Sequence, residues 1–202
     1  MVGSYSPYDL GNNSAIRVPT ILDALSSRYP GLTLDVHAGA TIDKATAFNA
    51  SELEAAVGAA GAADAVILVV GDSACIGTGF GKGSCCEGGD RTSLDLPGSQ
   101  QALLRGVLNA TGNLAGVVPP DGLGWMPYTR PGGPIPVVVI LIHGRPVTFD
   151  GSGGNWLTPG GGASPTSKAA LVSAWLPAEA GGEALVDLLA GVENFSGRTA
   201  TT

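Results

Sequence analysis

The sequence predicts an α/β fold: a three-layer sandwich in which a mostly parallel sheet carries helices on both faces. Three observations lead there. Short continuous apolar runs rich in Val, Ile and Leu, Ala65 to Val70 and Val137 to Ile142, have the composition of strands buried on both faces. Segments of helical periodicity fall between and around them, and strand alternating with helix calls for parallel pairing through crossovers. The third is the balance of 44% hydrophobic against 13% charged residues over 202 positions, which suits a single domain with a packed core.

In chain order, Ile21, Leu22 and Leu25 recur at helical spacing behind Pro19-Thr20, and Pro30-Gly31 ends that helix. Leu32 to Val36 alternates in polarity and reads as a half-buried or edge strand. Ser51 followed by Glu54 has the form of a capping box opening a helix over 52–60. The apolar run 65–70 is a buried strand, 99–108 a helix, 137–142 a second buried strand, 170–175 a third, and 179–189 a closing helix. Two stretches interrupt the alternation, 112–134 and 150–167. Both are rich in Gly, Pro and Ser and longer than ordinary α/β connections, so they read as insertions in one domain spanning 1–202.

Charge limits the partners. Ten basic against seventeen acidic residues give a net charge of −7 with no basic run, so neither nucleic acid nor an anionic membrane is an expected partner. The longest apolar run, Val137 to Ile142, is far short of the roughly 20 residues that span a bilayer. Met1 to Tyr5 show neither the basic nor the apolar region of a signal peptide. Asn-x-Ser/Thr triplets at Asn12, Asn49, Asn109 and Asn194 are compatible with a secreted parent, and the sequence leaves localisation open. Of the three cysteines, Cys75 could bridge to Cys85 or Cys86, leaving one thiol over. Adjacent Cys85 and Cys86 lack the usual spacing of zinc ligands, and His37 and His143 are distant in sequence, so no metal site is expected.

In doubly covered parallel sheets, ligands bind beyond the carboxyl ends of the strands. Two segments leave strands there: 71–91, after Val70, and His143-Gly144-Arg145, after Ile142. The first concentrates Asp72, Lys82, Glu87, Asp90 and Arg91 in a glycine-studded passage. Gly77-Thr-Gly-Phe-Gly-Lys-Gly83 superficially resembles a phosphate cradle but fits neither the P-loop nor the dinucleotide spacing, and no G-x-S-x-G elbow is present. Glu87 on such a loop is either a solvated carboxylate or a general acid whose pKa is raised by its surroundings. Asp90-Arg91 suits a structural pair fixing the loop's return, His143 a hydrogen-bonded strand end, and Trp175 and Pro177 packing.

Five ordered blocks carry a resemblance: Ala63-Asp-Ala-Val-Ile-Leu-Val-Val-Gly-Asp72; Glu87-Gly-Gly-Asp-Arg-Thr-Ser-Leu-Asp-Leu-Pro-Gly-Ser-Gln100; Pro136-Val-Val-Val-Ile-Leu-Ile-His-Gly-Arg-Pro146; Ala174-Trp-Leu-Pro-Ala-Glu-Ala-Gly-Gly-Glu183 running on to Gly191; and Phe195-Ser-Gly-Arg198. Together they resemble the second, α/β sandwich domain of family three glycoside hydrolases, the β-glucosidases, β-xylosidases and their relatives. The resemblance extends upstream through Pro19 to Leu25 and Leu34 to Gly39. It implies a retaining exo-β-glycosidase whose nucleophilic aspartate sits on a catalytic barrel outside this chain, and whose acid/base is a glutamate on a sandwich-domain loop. Glu87 matches that position, with Asp90 and Arg91 supporting it. The implied partners are a β-linked oligosaccharide or glycoside and the missing barrel, with no cofactor. The domain's usual first strand would lie just before Val2-Gly3-Ser4-Tyr5. Where the family pattern has glycine before Glu179 this chain has Ala178, and after Gly197-Arg198 it departs from the usual Leu-Pro. The alternative expectations are a non-catalytic carbohydrate-binding or interaction domain that kept the fold, and a free-standing flavodoxin-like ligand binder.

Overall fold

The computed structural model describes residues 18–42, 49–73, 84–85, 91–114, 132–148 and 166–198. In chain order these form α1 (Ile21–Arg28), α2 (Ala50–Ala62), β1 (Val66–Gly71), α3 (Gln100–Ala110), β2 (Val137–Ile142), β3 (Ala169–Trp175) and α4 (Gly181–Leu189). The three strands make one parallel sheet in the order β1-β2-β3, with Val66 opposite Val137 and Val137 opposite Ala169.

Strand alternation divides β2 between two cores. Val137, Val139 and Leu141 join Leu68 and Val70 of β1 against Leu53, Val57 and Ala60 of α2 and Leu103, Leu104, Val107 and Leu108 of α3. Ile140 and Ile142 point the other way, onto Leu185 of α4, with Ile21 of α1 and Val172 and Ala174 of β3 packed around them. Helices therefore cover both faces of a parallel sheet, the three-layer arrangement that uninterrupted Val/Ile strands require. Among the described residues, no helix is long and apolar enough to cross a membrane.

Local chemistry explains the helix ends. Thr20 and Asp23 cap α1 reciprocally: Asp23 N donates to Thr20 Oγ1 at 3.1 Å and Thr20 N donates to Asp23 Oδ2 at 2.9 Å. For α2 the expected Ser51 box is corrected. The cap is Asn49, whose Oδ1 accepts from Ser51 N at 3.2 Å and Glu52 N at 3.5 Å, so the helix starts at Ala50. An Asn side chain is short enough to reach those first orphan amides, which makes it one of the strongest N-caps. Ser99 precedes α3 without capping it through its side chain; its Oγ accepts from Thr41 N at 2.9 Å instead, tying the 38–42 segment to the start of α3.

The expected strand at 32–36 is not formed. This segment is coil, and Leu32, Leu34 and Val36 are all exposed. Alternating polarity makes a strand only where a neighbouring edge supplies ladder partners, and no described strand pairs with it. The closing helix begins at Gly181 and not at 179, because Ala178 holds a left-handed φ of 58° that interrupts helical geometry. Most of the two Gly/Pro-rich insertions, 112–134 and 150–167, lies outside the described residues.

Candidate functional site at the carboxyl edge of the sheet

β1 ends on Gly71, whose φ is 150°; a Cβ there would fall 1.7 Å from the Ile142 carbonyl oxygen. Only glycine allows β1 and β2 to stay this close while Asp72 N donates to Ile142 O at 2.8 Å. Gln100, the first residue of α3, brackets the same peptide. Its Oε1 accepts from Gly71 N at 2.7 Å, and its Nε2 donates to Gly71 O at 2.7 Å and to Pro97 O at 2.9 Å. A buried side-chain amide with every group engaged makes this corner rigid.

Asp72 follows with its side chain fully buried. Arg91 Nη1 donates to its Oδ1 at 2.7 Å, and Arg91 Nη2 donates to the Asp95 carbonyl. Asp72 Oδ2 is buried with no hydrogen-bond partner among the described residues. The pair joins the residue that leaves β1 to the residue that returns toward α3. It thereby closes the base of the 72–91 loop. Ser73 adds a second tie: its N donates to Ser84 Oγ at 2.8 Å, and its carbonyl accepts from Cys85 N at 3.1 Å and Cys85 Sγ at 3.3 Å.

Cys85 lies against the exit of β2, where a Cβ on Gly144 would sit 3.0 Å from its Sγ. Burial pushes its thiol pKa up and the Asp72 carboxylate pushes it further, against opposing pulls from the Gly144 backbone and from Arg145 and Arg91. A thiol so placed stays protonated and is no activated nucleophile. Cys85 is free, so of the pairings left open a Cys75–Cys85 bridge is not formed; Cys75 and Cys86 lie outside the described residues.

At the next strand end His143 is buried and held at both ring nitrogens, Nδ1 at 2.6 Å from the Arg145 carbonyl and Nε2 at 2.8 Å from Ser173 Oγ. Its ring stacks on Trp175 with centroids 4.3 Å apart and planes at 29°. The hydrogen-bonded role expected of this histidine is the one it has. Trp175 departs from the packing expected of it: the register slips between Leu141 and Ile142, the backbone turns to φ 50°, and the residue is left 41% exposed. Beside β1 a cavity of about 150 Å³ is lined largely by apolar residues, among them Ala38, Ala40, Val69 and Leu103. Its polar lining side chains are Gln100, already spent on Gly71 and Pro97, and Asp72, held by Arg91 at Oδ1.

Of the site residues expected from sequence, the structure places Arg91, on Asp72; Glu87 and Asp90 fall in 86–90, outside the described residues. Sequence reasoning flagged Asp72 as one of several charged loop residues but did not pair it with Arg91. It also missed Gln100 as the bracket of Gly71. A signal was available for the first: an acid directly after a buried strand and a base where the chain heads back toward the next helix are the two ends of one loop. No group of three or more His, Cys, Asp or Glu side chains able to hold a metal ion occurs among the described residues.

A parallel sheet sandwiched between helices, with charged residues gathered at the carboxyl ends of its strands, defines an α/β ligand-site architecture. Residues 1–126 match the glycosyl hydrolase family 3 C-terminal domain, and the chain belongs to that family. It is 30% identical over 132 residues to a beta-xylosidase of Formosa agariphila, covering 65% of this chain and 14% of that protein. It is 29% identical over 198 residues to an exo-alpha-(1->6)-L-arabinopyranosidase of Bifidobacterium longum, covering 96% of this chain and 20% of that protein. The fold is shared with a beta-glucosidase involved in saponin metabolism from intestinal bacteria, at a TM-score of 0.57 and 21% identity over 93% of this chain and 26% of that one. The chain therefore spans about a fifth or less of the curated relatives it matches.

Proposed function

We propose that this chain is the acid/base-bearing domain of a retaining exo-β-glycosidase that releases terminal β-glucosyl or β-xylosyl residues, with Glu87 as the acid/base and activity dependent on a barrel domain. The observation that carries the reading is the Asp72–Arg91 ion pair at 2.7 Å, which closes the base of the loop bearing Glu87 at the carboxyl edge of the sheet. Glu87 stands two residues after Cys85 and four before Arg91, so it is flanked in sequence by two anchored points. Retaining chemistry places its two carboxyl groups about 5–5.5 Å apart, one to attack the anomeric carbon and one to protonate the departing oxygen and then deprotonate water. A glutamate on a loop with a fixed base can reach across a domain boundary and still hold that spacing. Family membership and the beta-xylosidase relative support the glycosidic substrate class.

The test joins residues 1–202 to a family barrel domain and assays aryl β-glucosides and β-xylosides. Glu87→Ala is expected to lower kcat by about 10²–10⁴-fold on substrates with poor leaving groups. The loss should shrink for activated aryl leaving groups, which need no proton. An active fusion indifferent to Glu87→Ala on both classes sinks the assignment.

A further inference from the structure

Twice within four residues the backbone at the end of β3 adopts a left-handed conformation without glycine, at Trp175 with φ 50° and at Ala178 with φ 58°. For a residue as bulky as tryptophan this is an outlier, and such outliers persist only where the surroundings over-determine them. Here the surroundings do so. The ladder passes from Leu141 opposite Ser173 to Ile142 opposite Trp175, so Ala174 is the extra residue of a bulge, and bulges re-aim side chains. His143 N donates to the Trp175 carbonyl at 3.0 Å. The imidazole of His143, buried and hydrogen-bonded at both nitrogens, lies stacked beneath the indole at 4.3 Å. One aromatic face is thus supported by a ring held at both nitrogens, and the residue is 41% exposed at the strand ends where ligands of such sheets bind.

We propose that Trp175 is a stacking platform for a pyranose ring, a sugar-binding surface additional to Glu87. The identity of the ligand class rests on the glycosidase reading above. An indole face is electron-rich, and the C–H groups of a sugar ring, each beside an electron-withdrawing oxygen, present the complementary positive edge. β-Glucosyl and β-xylosyl rings, with their substituents equatorial, offer flat faces of axial C–H groups. The bulge and the locked histidine fix the indole before any sugar arrives, which cuts the ordering cost that weakens binding by mobile aromatic side chains.

The test uses the whole 202-residue chain with methyl β-D-glucopyranoside and methyl β-D-xylopyranoside as probes. With ¹⁵N-labelled tryptophan, titration is expected to move one of the three indole N–H resonances saturably, in the millimolar range, and Trp175→Phe should identify it by removing it. Trp175→Gly suits the left-handed backbone while deleting the ring, so a native melting transition separates loss of binding from loss of fold. Its sugar affinity should fall about five-fold or more. No saturable shift in the wild-type chain, a shift confined to Trp125 or Trp156, or a folded Trp175→Gly chain that keeps its affinity overturns the proposal. Saturation at Trp175 beside an inactive barrel fusion would count against the Glu87 reading and leave the platform standing; an active fusion without the shift does the reverse.

Discussion

The two faces of the sheet are built to different standards. Among the described residues, fourteen buried apolar residues form one cluster against α2 and α3; on the α1 and α4 side the buried cluster is Ile140, Ile142 and Leu185, with Ala24 of α1 and Val186 of α4 buried besides. The helix contacts differ in kind as well. Gly106 of α3 lets α2 approach until a Cβ there would meet the Val57 methyl at 2.6 Å, a side-chain contact. Gly182 of α4 lies against the backbone, where a Cβ would come within 2.6 Å of the Pro19 carbonyl oxygen and of Thr20. On that second face the β1 side chains Ile67 and Val69 are exposed. The α2–α3 face is thus a self-sufficient core that sets global stability, and the α1–α4 face is a thinner layer held by close backbone approach and by the Arg28–Asp187 ion pair.

Deleting volume from the stronger face should have the largest effect. Leu104 is fully buried in α3, and Leu104→Ala is expected to cost about 3–4 kcal/mol across the whole domain, since transfer energy is lost and a cavity is left behind. For a chain of this size that lowers Tm by roughly 10 °C. Leu185→Ala, on the thinner face, should cost about 2 kcal/mol, near the low end for a buried leucine. Chemical denaturation of both variants checks the order, and equal losses would abolish the distinction between the faces.

Gly182→Ala probes how the thinner layer is held. The new methyl meets backbone that cannot rotate aside, so α4 must lift from the Pro19–Thr20 turn at a local cost of about 1–3 kcal/mol. Hydrogen exchange should then rise over 21–28 and 183–189 while amides of 53–60 and 103–108 keep their protection, as expected for a unit that opens separately. Uniform loss of protection would mean that the two faces unfold as one.

The unequal faces also account for what could be read from the sequence. Buried strands announce themselves by composition, so Val66–Gly71 and Val137–Ile142 were legible within a residue at either end. The four helices were legible for a related reason, since each repeats its apolar residues at helical spacing. The segment 32–36 misled because alternation reports only the chemistry of a strand, and the existence of a paired edge is a property of the rest of the fold. At the site, Arg91 was legible as an anchor, but its partner Asp72 lies nineteen residues away. Gln100 was missed because its importance comes from a contact across twenty-nine residues to Gly71. Trp175 was misread because β3 exposes Leu171, Ser173 and Trp175 alike, and an apolar composition does not tell which face of a strand is left uncovered.

The smallest effect expected is a gain. Family resemblance places glycine where this chain has Ala178, and the structure supplies a physical reason for that preference: φ is 58° there, where a Cβ crowds the following carbonyl. Ala178→Gly relieves that crowding by about 1–2 kcal/mol but adds freedom to the unfolded chain, costing back roughly 0.5–1 kcal/mol. The net should be about 0.5–1 kcal/mol of stabilisation, raising Tm by about 2 °C. Because Ala178 lies three residues before the start of α4, the gain should appear first as slower exchange over 183–189, strengthening the thinner face without touching the α2–α3 core. A gain spread evenly over both faces would show that α4 is already cooperative with the main core, and a loss of stability would show that Ala178 is not held left-handed in solution.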